Sequence, residues 1–179
     1  MTGKDKLIGE DRRQAIMNWL ENNDVPLTGS ELAKRAGVSR QVIVQDISLL
    51  KAKNEPIFST SQGYLLMKEN KDVNLYQRIV AVKHESNQTK EELDCLVDHG
   101  VTVKDVIVEH PVYGEINAMI MVSDRHDVKQ FIENITRNQA SYLLELTGGV
   151  HLHTLEAESE AKLNAAYHSL KEKGFIVND

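Results

Sequence analysis

The residues best suited to chemistry lie late in the chain, where two histidines stand two positions apart. Residues 148–153 read GGVHLH, so His151 and His153 would share one face of a β-strand. The rise of a strand would place their Cα atoms about 6–7 Å apart, a spacing at which both imidazoles can ligate one metal ion. The glycines before them allow a backbone or ligand to come close. The alternative is a polar pair on an exposed strand face.

Two further candidate ligands lie upstream of this pair. His84 ends a predicted strand, and Glu92 follows one turn into a predicted helix. Three imidazoles and one carboxylate suit Zn²⁺ or Ni²⁺, and Fe²⁺ or Mn²⁺ also accept such a set. The sequence therefore predicts a divalent transition metal ion in each chain, held by His84, Glu92, His151 and His153.

Alternating apolar patterns predict the elements that would position these ligands. Strands are predicted at 76–84, 101–109, 115–122 and 150–156, and helices at 89–99, 127–139 and 159–173. The order β-α-β-β-α-β-α favours a sheet that carries its helices on one face. This predicted domain spans residues 73–179 and follows a polar boundary at 68–72.

The front of the chain has the pattern of a helix-turn-helix. Thr28 sits at an N-cap position ahead of a short helix, and Gly37 supplies the turn to a second helix. Ile43, Ile47 and Leu50 recur at helical spacing and would bury one face of that second helix. The opposite face would then be free to enter the major groove of DNA.

Flanking segments extend this motif to a winged helix. An earlier helix is predicted at 12–22, and two short strands around a polar turn are predicted within 55–66. The winged helix would occupy residues 1–68, which makes the chain an α+β protein of two domains.

The outer face of the second helix supplies the candidate base contacts. Arg pairs with guanine and Gln with adenine in the major groove, which selects Arg40, Gln41 and Gln45. The domain resembles the helix-turn-helix domains at the front of many bacterial repressors, including the biotin-sensing one. That resemblance implies that the wing touches the DNA backbone, and the matching wing residues are Ser59, Ser61 and Gln62.

Charge is divided unevenly between the two predicted domains. The net charge is −6. Residues 1–68 carry ten Lys and Arg against eight Asp and Glu, or +2, while residues 69–179 carry eleven against nineteen, or −8. The basic front half therefore suits contact with phosphate.

Several features indicate a cytoplasmic chain with no membrane segment. The lone cysteine, Cys95, excludes an internal disulfide framework and fits a reducing compartment. Residues 1–4 show no signal-peptide pattern, and no apolar run is long enough to cross a membrane.

The combined motifs resemble the niacin-responsive repressor family (NiaR), whose effector part is called the three-histidine, or 3H, domain. The resemblance rests on the winged helix together with His84…Glu92, the segment HPVYG at 110–114 and the segment GVHLHT at 149–154. It covers nearly the whole chain and implies a metal site of three histidines and a glutamate. It also implies an HPr-like two-layer fold for the second domain.

The same resemblance implies a function. NiaR proteins repress genes of niacin uptake and NAD synthesis by binding double-stranded operator DNA with nicotinic acid as corepressor. Arg78, Arg125 and the metal ion itself are candidates for holding the corepressor carboxylate, and His110 and Tyr113 are further candidates for the corepressor site. A homodimer is expected, joined through the acidic second domain so that both basic modules stay free.

Two other classes stay open from the residues alone. A metal-sensing repressor would respond to the ion without niacin. A metal-dependent hydrolase fused to a DNA-binding module would need an acid or base near the ion, and His110, Glu115 or Asp124 are candidates that no motif places. The absence of such a motif favours a regulator over an enzyme.

Overall fold

The computed structural model describes residues 9–66 and 75–177. The chain divides into two compact units, residues 1–69 and 70–179. The predicted boundary at 68–72 and the expectation for residues 1–4 lie outside the described residues.

Within residues 9–66, the first unit consists of three helices and a hairpin. They are α1 (Gly9–Glu21), α2 (Gly29–Ala36), α3 (Arg40–Ala52), β1 (Ile57–Thr60) and β2 (Gly63–Leu66). The two strands are antiparallel and form the predicted wing. Buried Ile16, Leu20, Leu32, Ile43 and Ile47 pack together as the core of this unit.

The start and the end of α2 follow from particular residues. The hydroxyl of Thr28 accepts the Glu31 N–H at 3.1 Å, and the Glu31 carboxylate accepts the Thr28 N–H at 2.8 Å. This reciprocal capping box satisfies two amides that the helix itself cannot. Gly37 ends the helix at φ +68°, a conformation that favours glycine. The predicted turn is therefore confirmed.

A buried carboxylate fixes α3 against α1. Asp46 is 2% exposed and accepts from Arg12 Nε at 2.5 Å and from Arg13 Nη1 at 3.3 Å. Because a buried charge needs partners, these two arginines hold α3 at a set position on α1.

The second unit has the predicted β-α-β-β-α-β-α order. Its elements are β3 (Tyr76–Lys83), α4 (Thr89–Val97), β4 (Thr102–His110), β5 (Gly114–Val122), α5 (Arg125–Asn138), β6 (Val150–Ala157) and α6 (Glu160–Glu172). Short 3₁₀ turns precede α4 at Ser86–Gln88 and β6 at Leu143–Thr147. The antiparallel sheet runs β3-β6-β4-β5, so the α+β class of the chain is confirmed.

The burial pattern of β6 shows that one face of the sheet is covered and the other is half-exposed. Its residues alternate, with His151, His153 and Leu155 buried and the residues between them half-buried. The core of α4, α6 and the strands lies on the buried side, around Leu93, Leu96 and Leu163 among others. The alternative of an exposed histidine pair is therefore wrong.

Candidate metal centre and DNA-binding surface

Three histidines surround one carboxylate inside the second unit. Glu92 projects from α4, His84 follows the last residue of β3, and His151 and His153 lie on β6. Their Nε2 atoms stand 2.8 Å (His84), 3.6 Å (His151) and 3.2 Å (His153) from the Glu92 oxygens. Glu92 is 0% exposed, His151 2% and His153 1%. The sequence-predicted ligands are thus brought together.

The two carboxylate oxygens divide the cluster. His84 and His151 face Oε2, and ligand atoms of His84, Glu92 and His151 all lie within 4.8 Å of one another. His153 faces the other oxygen, Oε1. Imidazole nitrogens with a carboxylate oxygen are a usual donor set for a transition metal ion. His84, Glu92 and His151 therefore form a set that can hold such an ion.

Backbone carbonyls fix the orientation of every ring. The Nδ1 of His84 lies 2.8 Å from the Glu85 carbonyl, that of His151 3.0 Å from the Gly149 carbonyl, and that of His153 2.6 Å from the Asp105 carbonyl. A carbonyl can only accept, so each Nδ1 carries the hydrogen. In the neutral ring, the Nε2 lone pair then points into the cluster, the arrangement found in metal-binding histidines.

With the rings in this orientation, the cluster needs a source of positive charge. Neutral imidazoles would present three lone pairs to a carboxylate. Glu92 Oε1 and His153 Nε2 are 3.2 Å apart but do not meet in hydrogen-bond geometry, and neither has another hydrogen-bond partner among the described residues. Burial alone would raise the pKa of Glu92, but the surrounding histidines hold that pKa well below its usual range. Burial lowers the pKa of His84 and of His153, and the adjacent Glu92 carboxylate more than offsets this effect. The cluster therefore needs positive charge, from protons or from a metal ion.

Gly149 allows the two halves of the cluster to meet. Its φ is +94°, and a Cβ there would lie 2.4 Å from the His84 carbonyl oxygen. Its own carbonyl accepts the His84 N–H at 3.4 Å and the His151 Nδ1–H at 3.0 Å. Glycine at this position therefore lets β6 approach the end of β3 and aligns two of the histidines.

A bulge in β4 orients His153, and no pattern in the sequence predicts this bulge. Pairing of β4 with β6 shifts register between Val103 and Ile107. Asp105, within the bulge, offers its carbonyl to His153 and its carboxylate to the Thr154 N–H at 2.8 Å. The extra residue places two acceptors beside one ligand.

The predicted corepressor arginines lie in other contacts. Arg78 donates to Asn164 Oδ1 at 2.8 Å and lies 5.8 Å from the centre of the Tyr167 ring. Arg125 donates to both oxygens of Asp98 and raises its own pKa through this pairing. A cavity of about 160 Å³ opens beside Glu92, His151 and His153, and neither arginine lines it.

The β4–β5 hairpin holds the other predicted pocket residues. His110 Nδ1 accepts the backbone N–H groups of Val112 and Tyr113, at 3.1 and 3.2 Å, so it stabilises the turn. Tyr113 is exposed. Glu115 and Asp124, the candidate acid–base groups for a hydrolase, also stay outside the cavity beside the histidines. The structure therefore gathers none of these residues at the cluster.

The predicted DNA contacts lie on α3 and on the hairpin of the first unit. Arg40, Gln41 and Gln45 are exposed on α3. On the wing, Ser59 is exposed and accepts from Lys51 Nζ of α3 at 2.9 Å, while Ser61 and Gln62 form the half-buried turn. Backbone bonds between Leu27 and Tyr64 tie the wing to the start of α2.

Family models agree with this two-part structure. A helix-turn-helix domain matches residues 12–65, and a 3H domain matches residues 77–179. A DNA-binding module followed by a 3H domain defines a class of transcription regulator, not of enzyme. Among the described residues, none of the helices is long and apolar enough to cross a membrane.

Two curated relatives cover nearly the whole chain. The transcription repressor NadR of Bacillus subtilis is 52% identical over 180 residues, which is 100% of both chains. The probable transcription repressor NiaR of Thermotoga maritima is 42% identical over 97% of this chain and 98% of its own. The chain therefore belongs to the NiaR/NadR family of transcription repressors, which confirms the predicted resemblance.

Proposed function

We propose that this protein represses genes of niacin uptake and NAD synthesis in the cytoplasm, with nicotinic acid as corepressor and a divalent ion in the 3H domain. The observation that carries the proposal is the buried cluster of three Nε2 atoms around Glu92, in a chain that also has a recognition helix. This cluster joins the Glu92 carboxylate of α4 to the histidines of β6 and to His84 after β3, within the second unit.

Four residues would hold the ion: His84, Glu92, His151 and His153. Each ring is already oriented by a backbone carbonyl, so binding requires little rearrangement of the side chains. The nitrogen-rich set favours Ni²⁺ or Zn²⁺ over Mn²⁺. A bound ion would supply positive charge at the cluster and a position for an anionic ligand.

The first unit would supply operator recognition. Arg40 and Gln41 open α3 and would read base edges, with Gln45 one turn later. Ser59, Ser61 and Gln62 on the wing would contact the backbone. Backbone bonds between Leu27 and Tyr64, together with the Lys51–Ser59 bond, tie the wing to the helices, so α3 and the wing would meet one DNA segment together.

A homodimer would place two such modules on one operator. One winged helix contacts a limited DNA surface, and specific repressors therefore pair. The acidic second unit is the proposed contact, because pairing there leaves the basic modules free. Sedimentation at micromolar concentration is expected to give a mass twice the 20.2 kDa of one chain. A monomer that binds a palindromic site tightly would contradict this.

Operator binding tests the proposal directly. Full-length protein is titrated with DNA from upstream of a niacin-uptake gene, in the presence of nicotinic acid, nicotinamide or no ligand. Each titration is repeated with the metal-loaded protein and after chelation. We expect tight binding only with both nicotinic acid and metal. Full binding with metal alone would instead identify a metal sensor, and turnover of a metal-dependent substrate would identify the hydrolase.

A further inference from the structure

The wing packs directly onto the peptide that begins α2. Gly63, the first residue of β2, has φ +140°, and a Cβ there would lie 2.5 Å from the Leu27 carbonyl oxygen. Beside it, the N–H of Tyr64 donates to the Leu27 carbonyl at 2.8 Å, and the N–H of Leu27 donates to the Tyr64 carbonyl at 2.9 Å. Glycine therefore allows a close backbone approach, and the two bonds fix Tyr64 beside the start of α2.

Three elements meet at Gly29, the first residue of α2. Gly29 is buried, and a Cβ at this position would lie 3.4 Å from Arg40 Nε, 3.5 Å from Arg40 Cγ and 3.5 Å from Tyr64 Cε2. The side chain of Arg40, from α3, and the ring of Tyr64, from the wing, therefore border the same small space. The φ of Gly29 is not positive, so the space over it, and not its backbone conformation, is what favours glycine here.

Arg40 is confined along its stem but not at its head. Its Cγ and Nε lie beside Gly29, whereas its guanidinium makes no ion pair or hydrogen bond within residues 9–66 and 75–177, and the residue is exposed. A long side chain loses rotamer freedom when it is fixed on a DNA base, and a stem that its neighbours already confine loses less. The contacts at Gly29 therefore preorganise Arg40 for binding.

We propose that Gly29 and Tyr64 are positioning residues for base recognition by Arg40. The missing side chain at Gly29 leaves the space in which the Arg40 stem lies, and Tyr64 closes that space on the side of the wing. The inference rests on the proposed function for the role of Arg40 at a base edge. It makes the wing a determinant of sequence specificity through a contact within the protein, in addition to any contact with the DNA backbone.

The space over Gly29 has a definite size. Distances of 3.4–3.5 Å are close van der Waals contacts, so the single methyl group of alanine fits. Valine would add two γ carbons at a buried position, so a neighbouring side chain would have to move. Tyr64 packs on the core of the first unit, whereas Arg40 is exposed. Arg40 is therefore the side chain that valine would displace.

A double-mutant cycle tests this assignment. Gly29→Val is combined with Arg40→Ala, and Gly29→Ala is the matched control that keeps the space open. Tyr64→Leu removes the ring without crowding Arg40 and is combined with Arg40→Ala in the same way. The full-length chains are loaded with Zn²⁺, and thermal unfolding checks that each variant folds.

The DNA probe is chosen without knowledge of the operator. It is the duplex that the unmodified chain selects from a random-sequence library in the presence of nicotinic acid. Each variant is titrated against this duplex, against versions with each base pair changed in turn, and against random DNA. All titrations are repeated without nicotinic acid.

We expect Gly29→Val to weaken binding to the selected duplex about tenfold, as loss of one bidentate arginine contact would, and to change binding to random DNA little. Gly29→Val, Tyr64→Leu and Arg40→Ala should lose base preference at the same base pair. Gly29→Val should cost less than about twofold when Arg40 is already alanine, because no guanidinium is left to displace. Gly29→Ala should bind as the unmodified chain does.

Several results would overturn the assignment. Losses that add in the double variant, or that fall at another base pair, would show that Gly29 acts apart from Arg40. Unchanged base preference in Gly29→Val or in Arg40→Ala would refute it equally. If Gly29→Val does not fold, the cycle of Tyr64→Leu with Arg40→Ala decides. A selected duplex that binds equally well without nicotinic acid would refute the niacin proposal and leave the coupling between Gly29 and Arg40 measurable.

Discussion

Gly149 provides a sharp test of how backbone approach sets the metal centre. In Gly149→Ala, the new Cβ would lie 2.4 Å from the His84 carbonyl oxygen, so either the end of β3 or the start of β6 must move. Both segments carry predicted metal ligands, His84 and His151. The displacement would also disturb the bonds that the Gly149 carbonyl makes to these two residues.

Gly148→Ala is the control that distinguishes backbone strain at positive φ from displacement of the neighbouring segment. Gly148 has φ +62°, and a Cβ there meets no heavy atom within 4 Å among the described residues. A residue other than glycine at positive φ costs roughly 1–2 kcal/mol, and both alanine variants carry this term. Overpacking adds about 1–3 kcal/mol, which only Gly149→Ala carries. Contacts that orient metal ligands are worth about 10–100-fold in affinity.

Two measurements follow. Thermal unfolding of the metal-free chains should show Gly149→Ala destabilised by about 2–5 kcal/mol and Gly148→Ala by about 1–2 kcal/mol. Chelator competition for Zn²⁺ should show at least a tenfold loss for Gly149→Ala and little change for Gly148→Ala. Equal metal affinity in the two variants would refute the argument, because the close approach at Gly149 would then play no part in placing His84.

Three further substitutions test other parts of the molecule. Arg40→Ala should weaken binding to a specific operator by about 1–3 kcal/mol and to random DNA much less, measured by fluorescence anisotropy; equal losses would show that Arg40 touches only phosphate. His151→Ala should remove most of the bound metal in elemental analysis while non-specific DNA binding persists, because the winged helix has its own core; retention of both metal and niacin response would place the effector site elsewhere. Thr28→Ala should lower the unfolding free energy by about 1 kcal/mol through loss of the capping box, with the exposed, non-capping Ser30→Ala as control in the same melts.

Much of this fold could be predicted because periodicity is a local property. The two-residue period of a strand places His151 and His153 on one face, and the structure buries both. The turn at Gly37 and the order of elements in the second unit could also be predicted. The ends of the second-unit elements differ from the prediction by two residues at most, and α1 begins three residues earlier than predicted. His84, the predicted last residue of the first strand, lies just after β3, and its N–H donates to the Gly149 carbonyl.

The cavity could not be predicted, because its walls are distant in sequence. Thr89, Ala118 and Tyr142 meet only through the packing of α4, β5 and the segment before β6. The two arginines that the sequence analysis selected for their charge, Arg78 and Arg125, lie outside this cavity and are engaged by Asn164 and Asp98. An arginine often pairs with an acidic or amide side chain of its own chain. Such partners are distant in sequence, so the sequence alone does not reveal them.

The contacts that orient the histidine rings also bear on how this site can change in evolution. All three Nδ1 atoms bond main-chain carbonyls, those of Glu85, Asp105 and Gly149. A carbonyl is present whatever side chain a position carries, so mutation of Glu85 leaves its contact to His84 available. Side-chain substitutions near the histidine cluster are therefore tolerated as long as the backbone conformation is kept. Relatives can diverge widely in sequence while the same three ring orientations are inherited.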